Sequence, residues 1–433
     1  MQLRSAQFEK RKAALCEHCE LPQAECHSTY NAADPRDGYR RSAHLMREAM
    51  IDVTRLLDRT MQGRLPTGVD RVGLEYVRYF GERSTALVRF AGHWIELSAG
   101  DSERSFEALL SPSPRFNQLI RRLVARAATQ SLGRRFTTPR FLFNTGHSGL
   151  EQVQYVKRLQ HSRLRPIFFV HDLIPITHPE YCRPGECGKH RLRMNTVLQH
   201  GHGVITNSGQ TLDDLLAYGE TGGLPMPPSV VAPLAPARLP VPSAGTPVEQ
   251  PYFVMLGTIE PRKNHWLLLQ VWRQLVERLG PAAPRLVVIG QRGWECENVV
   301  DLLERCVPLK GVVLERAACS DAELASYLQH AQALLFPSFS EGYGMPLVEA
   351  LTLGLPVIAS DLPAFREIAG NTPEYVDPLD GKRWRQLIED YAGSTSLLRA
   401  AQCQRMERFS VPTWDLHFEQ VEALLERLRV TTS

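Results

Sequence analysis

No apolar run in this chain reaches the length of a membrane-spanning helix, and none of signal-peptide character opens it. The first absence excludes a helical integral membrane protein. The second, with nine scattered cysteines, an odd number, fits the expectation of a reducing cytosol. Charge of one sign is also scarce in total. Lys plus Arg exceed Asp plus Glu by only +3, so no bulk polyanion such as nucleic acid is implied as a partner. No internal repeat is visible. No Asp-x-Asp pair sits at the end of a strand pattern, where a divalent ion would bridge phosphates, and this predicts a metal-independent site.

What is present is ordinary globular material, 433 residues with 43% hydrophobic side chains, enough for two domains with cores. Residues 1–48 differ from the rest, being polar and poorly periodic. They hold Cys16, Cys19, Cys26 and His27 at spacings that invite a zinc reading. A closed zinc site needs a folded frame, and little core is available there. A disordered extension, or a start codon at Met46 or Met50, is the favoured reading, and a partner-binding module is a further one. Ile51–Leu57 reads as the first strand. A domain over 49–232 then alternates strand and helix patterns. Residues 233–250 are proline-rich and read as a linker. A second alternating domain covers 251–410, and a C-terminal helix covers 411–433. Short continuous apolar runs between helical patterns predict α/β domains with doubly wound parallel sheets.

The segment from Arg115 to Arg165 carries eleven Lys or Arg and one acid, Glu151. Phe116, Leu119, Ile120, Leu123, Val124 and Ala127 share one face of a predicted helix there. Two readings stand: a basic amphipathic helix on an anionic membrane surface, or a helix packed on its sheet with a solvated basic face.

Two loops concentrate the chemistry. In Glu341-Gly-Tyr-Gly-Met-Pro-Leu-Val-Glu349, seven residues separate two carboxylates. An apolar run before it reads as a buried strand and a helical pattern begins within it. Backbone N–H groups at such a place face a phosphate, and Gly342 and Gly344 allow close approach. Glu341 in the loop and Glu349 in the helix would then grip two parts of one elongated ligand. In the second loop the strand Tyr252–Leu256 ends in Gly257. Thr258-Ile-Glu-Pro-Arg-Lys-Asn264 follows before another helix. Adjacent Arg262 and Lys263 suit a diphosphate.

With these two segments on the page, the chain resembles the retaining glycosyltransferases of family four, which have the GT-B fold of two Rossmann-like domains facing a cleft. The glutamate pair is similar to that family's signature, and Gly257-Thr258-Ile-Glu-Pro-Arg-Lys-Asn264 resembles a variant found in bacterial polysaccharide mannosyltransferases. Pro66-Thr-Gly-Val-Asp-Arg-Val72 looks like the family's first glycine loop, and His171-Asp-Leu-Ile-Pro175 like its active-site histidine segment. The resemblance spans roughly residues 50 to 425 and implies that the C-terminal helix packs back on the first domain.

It implies roles. Glu349 would hold the ribose hydroxyls of a nucleotide. Glu341 would face the donor sugar and stabilise positive charge as the glycosidic bond breaks. Arg262 and Lys263 would neutralise the departing diphosphate. Gly257, Thr258, Gly342, Gly344 and Leu347 would line the donor nucleotide. His171 would touch the sugar, oriented by Asp172 unless that residue only caps a turn. Thr67 and Gly68 would form the facing loop of the first domain. Where the commonest family pattern has arginine directly after the glycine, this chain has Thr258, so the guanidinium role passes to Arg262.

The implied activity is transfer of a hexose, mannose from GDP-mannose as first choice, onto a lipid-linked or growing bacterial surface polysaccharide. It would proceed without metal or cofactor in the cytoplasm or on the inner membrane face. A UDP-sugar donor, a sugar-nucleotide epimerase of the same fold and a non-catalytic sugar-binding protein are the alternatives.

Overall fold

The computed structural model describes residues 47–131, 136–242, 245–249 and 251–430. The cysteine-histidine group at 16–27 lies outside them. Everything below concerns the compact unit that begins at Arg47.

Two sheets organise it. The first has seven strands: β1 (Ala49–Asp52), β2 (Ser84–Phe90), β3 (His93–Glu96), β4 (Arg140–Asn144), β5 (Leu164–Val170), β6 (Gly203–Thr206) and β7 (Ser229–Val231). Their order is β3-β2-β1-β4-β5-β6-β7. Only the β2–β3 hairpin is antiparallel. The second sheet holds β8 (Tyr252–Leu256), β9 (Arg285–Ile289), β10 (Val313–Arg316), β11 (Leu334–Phe336), β12 (Val357–Ser360) and β13 (Glu374–Val376). Its order is β10-β9-β8-β11-β12-β13, with every pair parallel. The order reverses between β1 and β4, and again between β8 and β11. At such switch points neighbouring loops diverge to opposite faces and leave a crevice beyond the carboxyl ends of the strands. This is the GT-B architecture.

Three local readings are corrected. Ile51–Leu57 is not one strand: β1 stops at Asp52, whose carboxylate accepts from the Thr54 N–H at 3.1 Å, and the helix Thr54–Met61 follows. A short apolar run does not separate strand from helix by itself. The short edge strand β13 was not foreseen, because three residues carry no period. The proline-rich segment is no free tether. Leu234 and Ala235 are buried, and the Leu234 carbonyl accepts from the Tyr343 hydroxyl at 2.6 Å.

Within the basic segment, the stretch with the apolar face forms the helix Phe116–Ser131. Phe116, Ile120, Leu123 and Ala127 are buried in the first domain's core, while Arg121 and Arg122 are exposed. Its apolar stripe is already used inside the protein, so insertion of that stripe into a bilayer would require unpacking the domain. Among the described residues no helix is long and apolar enough to cross a membrane.

The final helix, Trp414–Val430, buries Phe418, Val421, Leu424, Leu425 and Leu428 in a cluster shared with β5, β6 and the linker. His417 links the parts. Its Nε2 lies 3.1 Å from the Tyr76 hydroxyl, and its Nδ1 lies 3.0 Å from the Ala232 carbonyl. Phe418 stacks on Tyr79 with centroids 3.9 Å apart. Truncating Leu424 to Ala leaves a cavity in this seam. We expect it to cost about 2–5 kcal/mol in denaturant melts, against less than about 0.5 kcal/mol for Leu416→Ala on the exposed face. Equal effects would mean that the helix is not held by this stripe.

Candidate active site

The pairing of β8 with β11 makes neighbours of two loops that lie about eighty residues apart in the chain. The loop after β8 turns through a short 3₁₀ helix, Pro261–Lys263, and begins the helix His265–Leu279. The loop after β11 runs from Pro337 to the start of the helix Met345–Thr352. Their backbones join where the Phe339 N–H donates to the Arg262 carbonyl at 2.8 Å.

Four charged side chains meet there. Glu341 accepts from Lys263 Nζ at 2.5 Å on one oxygen and pairs with Arg262 Nη1 at 2.6 Å through the other. The Ser338 hydroxyl adds a bond of 2.7 Å. Glu260 holds the other side of the same guanidinium, Oε1 to Nε at 2.6 Å. Arg262 Nη1 also donates to the Ser340 carbonyl at 3.1 Å. The two charges of each sign cancel, as burial requires.

Burial alone would raise the carboxyl of Glu341, but Arg262 and Lys263 outweigh it and hold the group at about 2. It is therefore an anion throughout the physiological range. Glu260 goes the other way: burial raises its carboxyl, and the pull of Arg262 does not fully compensate. Burial and the neighbouring guanidinium lower the ammonium of Lys263.

Glu349 lies at the opposite end of this site, within the Met345–Thr352 helix. Burial pushes its carboxyl up to about 7, against Arg71 and a hydrogen bond from the backbone of Ala237. Arg71 reaches across from the first domain and pairs with Asp321 at 2.6 Å. The backbone cradle here is narrower than the sequence reading assumed. Pro346 has no N–H, and that of Leu347 is taken by the Gly344 carbonyl at 2.9 Å. Gly344 has φ of +120°, and a Cβ there would stand 2.7 Å from the Phe365 ring, so the position requires glycine. Gly257 and Thr258 begin the β8 loop. The methyl of Thr258 packs towards Gly293 and brings no charge to the cluster.

On the first domain, His171 follows β5 and is buried. Its Nε2 lies 2.7 Å from the Thr145 carbonyl. Nε2 is therefore the protonated nitrogen, and Nδ1 is the ring's acceptor. The orienting group is this carbonyl and not Asp172, which corrects the sequence expectation. The Asp172 carboxylate accepts from the Ile174 N–H at 3.1 Å and caps the turn. Sequence neighbours leaving a strand point to opposite sides. Burial lowers the imidazole of His171, so it stays neutral near pH 7. Two further histidines, which sequence reasoning missed, stand behind it. His147 lies 5.4 Å from His171 and 5.6 Å from His190, ring to ring, and His190 Nε2 lies 3.1 Å from the Asp172 carbonyl.

Thr67 and Gly68 remain exposed, and nothing lies within 4 Å of where a Gly68 Cβ would be. Thr67 serves its own helix. Its N–H donates to the Asp70 carboxylate at 2.8 Å, as in a capping box, and its hydroxyl donates to the same oxygen at 2.6 Å. The Thr-x-x-Asp pattern carried that signal in the sequence.

The two domains touch through this machinery. The Ser208 hydroxyl donates to the Gly342 carbonyl at 2.8 Å, and the Thr211 hydroxyl does so at 3.3 Å. A Cβ on Gly342 would stand 2.3 Å from the His171 carbonyl oxygen, so only glycine lets the glutamate loop meet the histidine strand. Nearby, Glu367 accepts from the Gly209 N–H at 2.7 Å and the Gln210 N–H at 3.2 Å. His171, Asp172, Arg262, Lys263, Glu341 and Gly342 are thus brought together. Glu349 stands apart from them, and the exposed Thr67 and Gly68 do not enter the cluster. Among the described residues no group of three or more His, Cys, Asp or Glu is placed to hold a metal ion.

The cluster has an experimental signature. Glu341→Ala would leave Arg262 and Lys263 buried with Glu260 alone. We expect a loss of about 3–5 kcal/mol in folding stability. Inorganic pyrophosphate, supplying the missing charge, should raise the Tm of this variant more than that of the wild type. An unchanged Tm would show that the four charges are not energetically coupled.

Comparison with known proteins adds kinship to this geometry. Residues 241–390 match the family model described as "Glycosyl transferases group 1". The serotype-specific mannosyltransferase WbdA of Escherichia coli is 28% identical over 245 residues, covering 52% of this chain and 29% of that protein. The O-antigen chain mannosyltransferase B of E. coli is 34% identical over 131 residues, covering 30% of this chain and 34% of that one. The chain thus spans about a third of the length of these curated relatives. Among solved structures, Anabaena Alr3699/HepE in complex with UDP-glucose superimposes with a TM-score of 0.60 at 14% identity, covering 87% of this chain and 99% of that one.

Proposed function

We propose that this chain, a GT-B protein resembling bacterial polysaccharide mannosyltransferases, is a retaining glycosyltransferase. In this reading it moves mannose from GDP-mannose onto a lipid-linked or growing surface polysaccharide. The observation that carries the reading is Glu341 held between Arg262 and Lys263 at the carboxyl ends of the switch-point strands, with Glu349 buried further along the same loop and helix. The mannosyltransferases among the relatives favour mannose. The resemblance of the Glu260–Asn264 segment also favours mannose, and GDP enters only as the carrier of that sugar.

The residues then divide the work. Glu349, as a carboxylate, accepts from both ribose hydroxyls. The incoming diphosphate competes with Glu341 for Arg262 and Lys263. As the glycosidic bond breaks, negative charge gathers on the departing phosphate and these two cations gain most from it, which makes the contact catalytic. Released from one or both cations, Glu341 faces the positive charge developing on the sugar. Nδ1 of His171 accepts from a sugar hydroxyl. Arg262 and Lys263 take the place of a divalent ion, so the reaction needs no added metal. Retention of configuration rests on the family resemblance. The exposed Arg121 and Arg122 face of the Phe116–Ser131 helix would hold the protein to the anionic inner face of the membrane by charge alone, and salt would release it.

Thermal stability with GDP, UDP, ADP or no nucleotide, at equal concentration and without metal, tests the donor. A rise with GDP alone is expected. A rise with UDP alone would replace mannose by a UDP-sugar donor and return the epimerase to contention. No rise with any nucleotide would overturn the roles given to Arg262, Lys263 and Glu349.

Glu349 adds a pH test. Its carboxyl is raised to about 7 in the free protein. Only the ionised form accepts from two hydroxyls, so affinity falls as pH drops through that value. Between pH 8 and pH 6 the competent fraction falls about tenfold, and the affinity for GDP with it. Titration calorimetry on wild type and Glu349→Gln should show this extra slope in the wild type alone. Parallel pH profiles would rule the role out.

A further inference from the structure

The acceptor side of the reaction has no motif in the sequence, but the mouth of the site has an unusual surface. The turn after His171 carries His178 and Tyr181, whose rings are nearly parallel at 13° with centroids 5.9 Å apart. Tyr181 in turn stacks with Phe339 of the second domain at 5.4 Å and 9°. Trp294, from the loop after β9, donates its Nε1–H to the Tyr181 carbonyl at 3.1 Å. The Arg183 guanidinium lies 5.1 Å from the Trp294 ring. All four aromatic residues are half-buried and none is enclosed.

This ladder borders the reacting centre. Phe339 stands two residues before Glu341, and its N–H is bonded to the Arg262 carbonyl at 2.8 Å. The loop bearing Trp294 lies against the other one, the Gly293 N–H donating to the Ile259 carbonyl at 3.0 Å. Cys182, next to Tyr181, sits in the combined field of Asp172, Arg262 and Glu260. Three segments from two domains therefore bring half-buried rings to the edge of the charged cluster.

We propose that the His178–Tyr181–Phe339 ladder, edged by Trp294, is the acceptor subsite, and that it takes the C–H face of a pyranose. A pyranose has one face of axial C–H bonds and a rim of hydroxyls. The rings match the first. Around them, Glu180, Asp172 and Arg183 offer acceptors and donors to the second. Stacking would hold the acceptor sugar flat at the mouth, with one hydroxyl turned inward to the donor sugar beside Glu341. Because Tyr181 and Phe339 come from different domains, the platform is complete only while the domains are in contact. The acceptor role rests on the transferase reading above. The sugar-binding surface does not.

The test uses the full chain and methyl β-D-mannopyranoside, whose H1, H3 and H5 share one face, as probe, with and without GDP, observed by saturation-transfer NMR. Binding through the platform predicts the strongest transfer to the sugar's H3 and H5. It predicts at least a fivefold loss of signal in Tyr181→Ala and in Trp294→Ala, and retention in Tyr181→Phe, which keeps the ring. The Tm rise with GDP, unchanged in these variants, reports that each is folded with an intact donor pocket. No mannoside signal from the wild type, or a signal indifferent to Tyr181→Ala, overturns the platform while a GDP response leaves the donor site standing. Ring-dependent mannoside binding without any response to nucleotide keeps the platform and overturns the transferase reading.

Discussion

The structure depends on a neutral knot of four charges, with Glu260 and Lys263 buried and Arg262 and Glu341 half-buried. Glu341 bridges Arg262 and Lys263, and Glu260 closes the circuit on the far side of the guanidinium. Four such charges out of water are tolerable only because each meets an opposite one at hydrogen-bond distance. The arrangement has a consequence for chemistry. A site that binds an anionic leaving group must keep cations in a dry place before the anion arrives. Glu341 supplies the missing negative charge in that interval, and Ser338 steadies it.

Around the knot, the two domains are joined by backbone and hydroxyl contacts more than by bulk. Ser208 and Thr211 donate to the Gly342 carbonyl, and Gly342 packs on His171 with no room for a side chain. Glu367 satisfies two N–H groups at the start of the Gly209–Gly222 helix, a position that favours a carboxylate for both hydrogen bonding and dipole reasons. These polar links can be broken and remade at modest cost. The apolar seam made by the linker and the Trp414–Val430 helix cannot. Tight elements thus hold the domains together, and light elements meet in the cleft, where ligand must enter.

Much of the fold was legible because buried parallel strands announce themselves. Phe141–Phe143, Ile167–Val170 and Val357–Ala359 are short apolar runs flanked by helical patterns, and each lies within a strand of the structure. The misreadings occur where local signal is weak. Leu56 and Leu57 continue an apolar run past the end of β1 into a helix, and β13 is too short to show a period. In the site, Glu341, Glu349, Arg262 and Lys263 stood out by type and spacing. His147, His190, Ser208 and Glu367 did not, because their significance is a matter of which distant carbonyl or N–H they meet.

The amino-acid sequence by itself determined the alternation of strands and helices, and with it a doubly wound architecture whose loops carry the charged residues. It also determined the residue types that face one another, since adjacent cations and a spaced pair of carboxylates are properties of the chain. Only the tertiary structure decided that Glu341 answers both cations, that Thr145 and not Asp172 orients His171, and that the basic helix spends its apolar face inside the domain. Partner choice is a matter of through-space distance and burial. Those are fixed when β8 pairs with β11 and the two domains meet, and no window of sequence contains both sides of either contact.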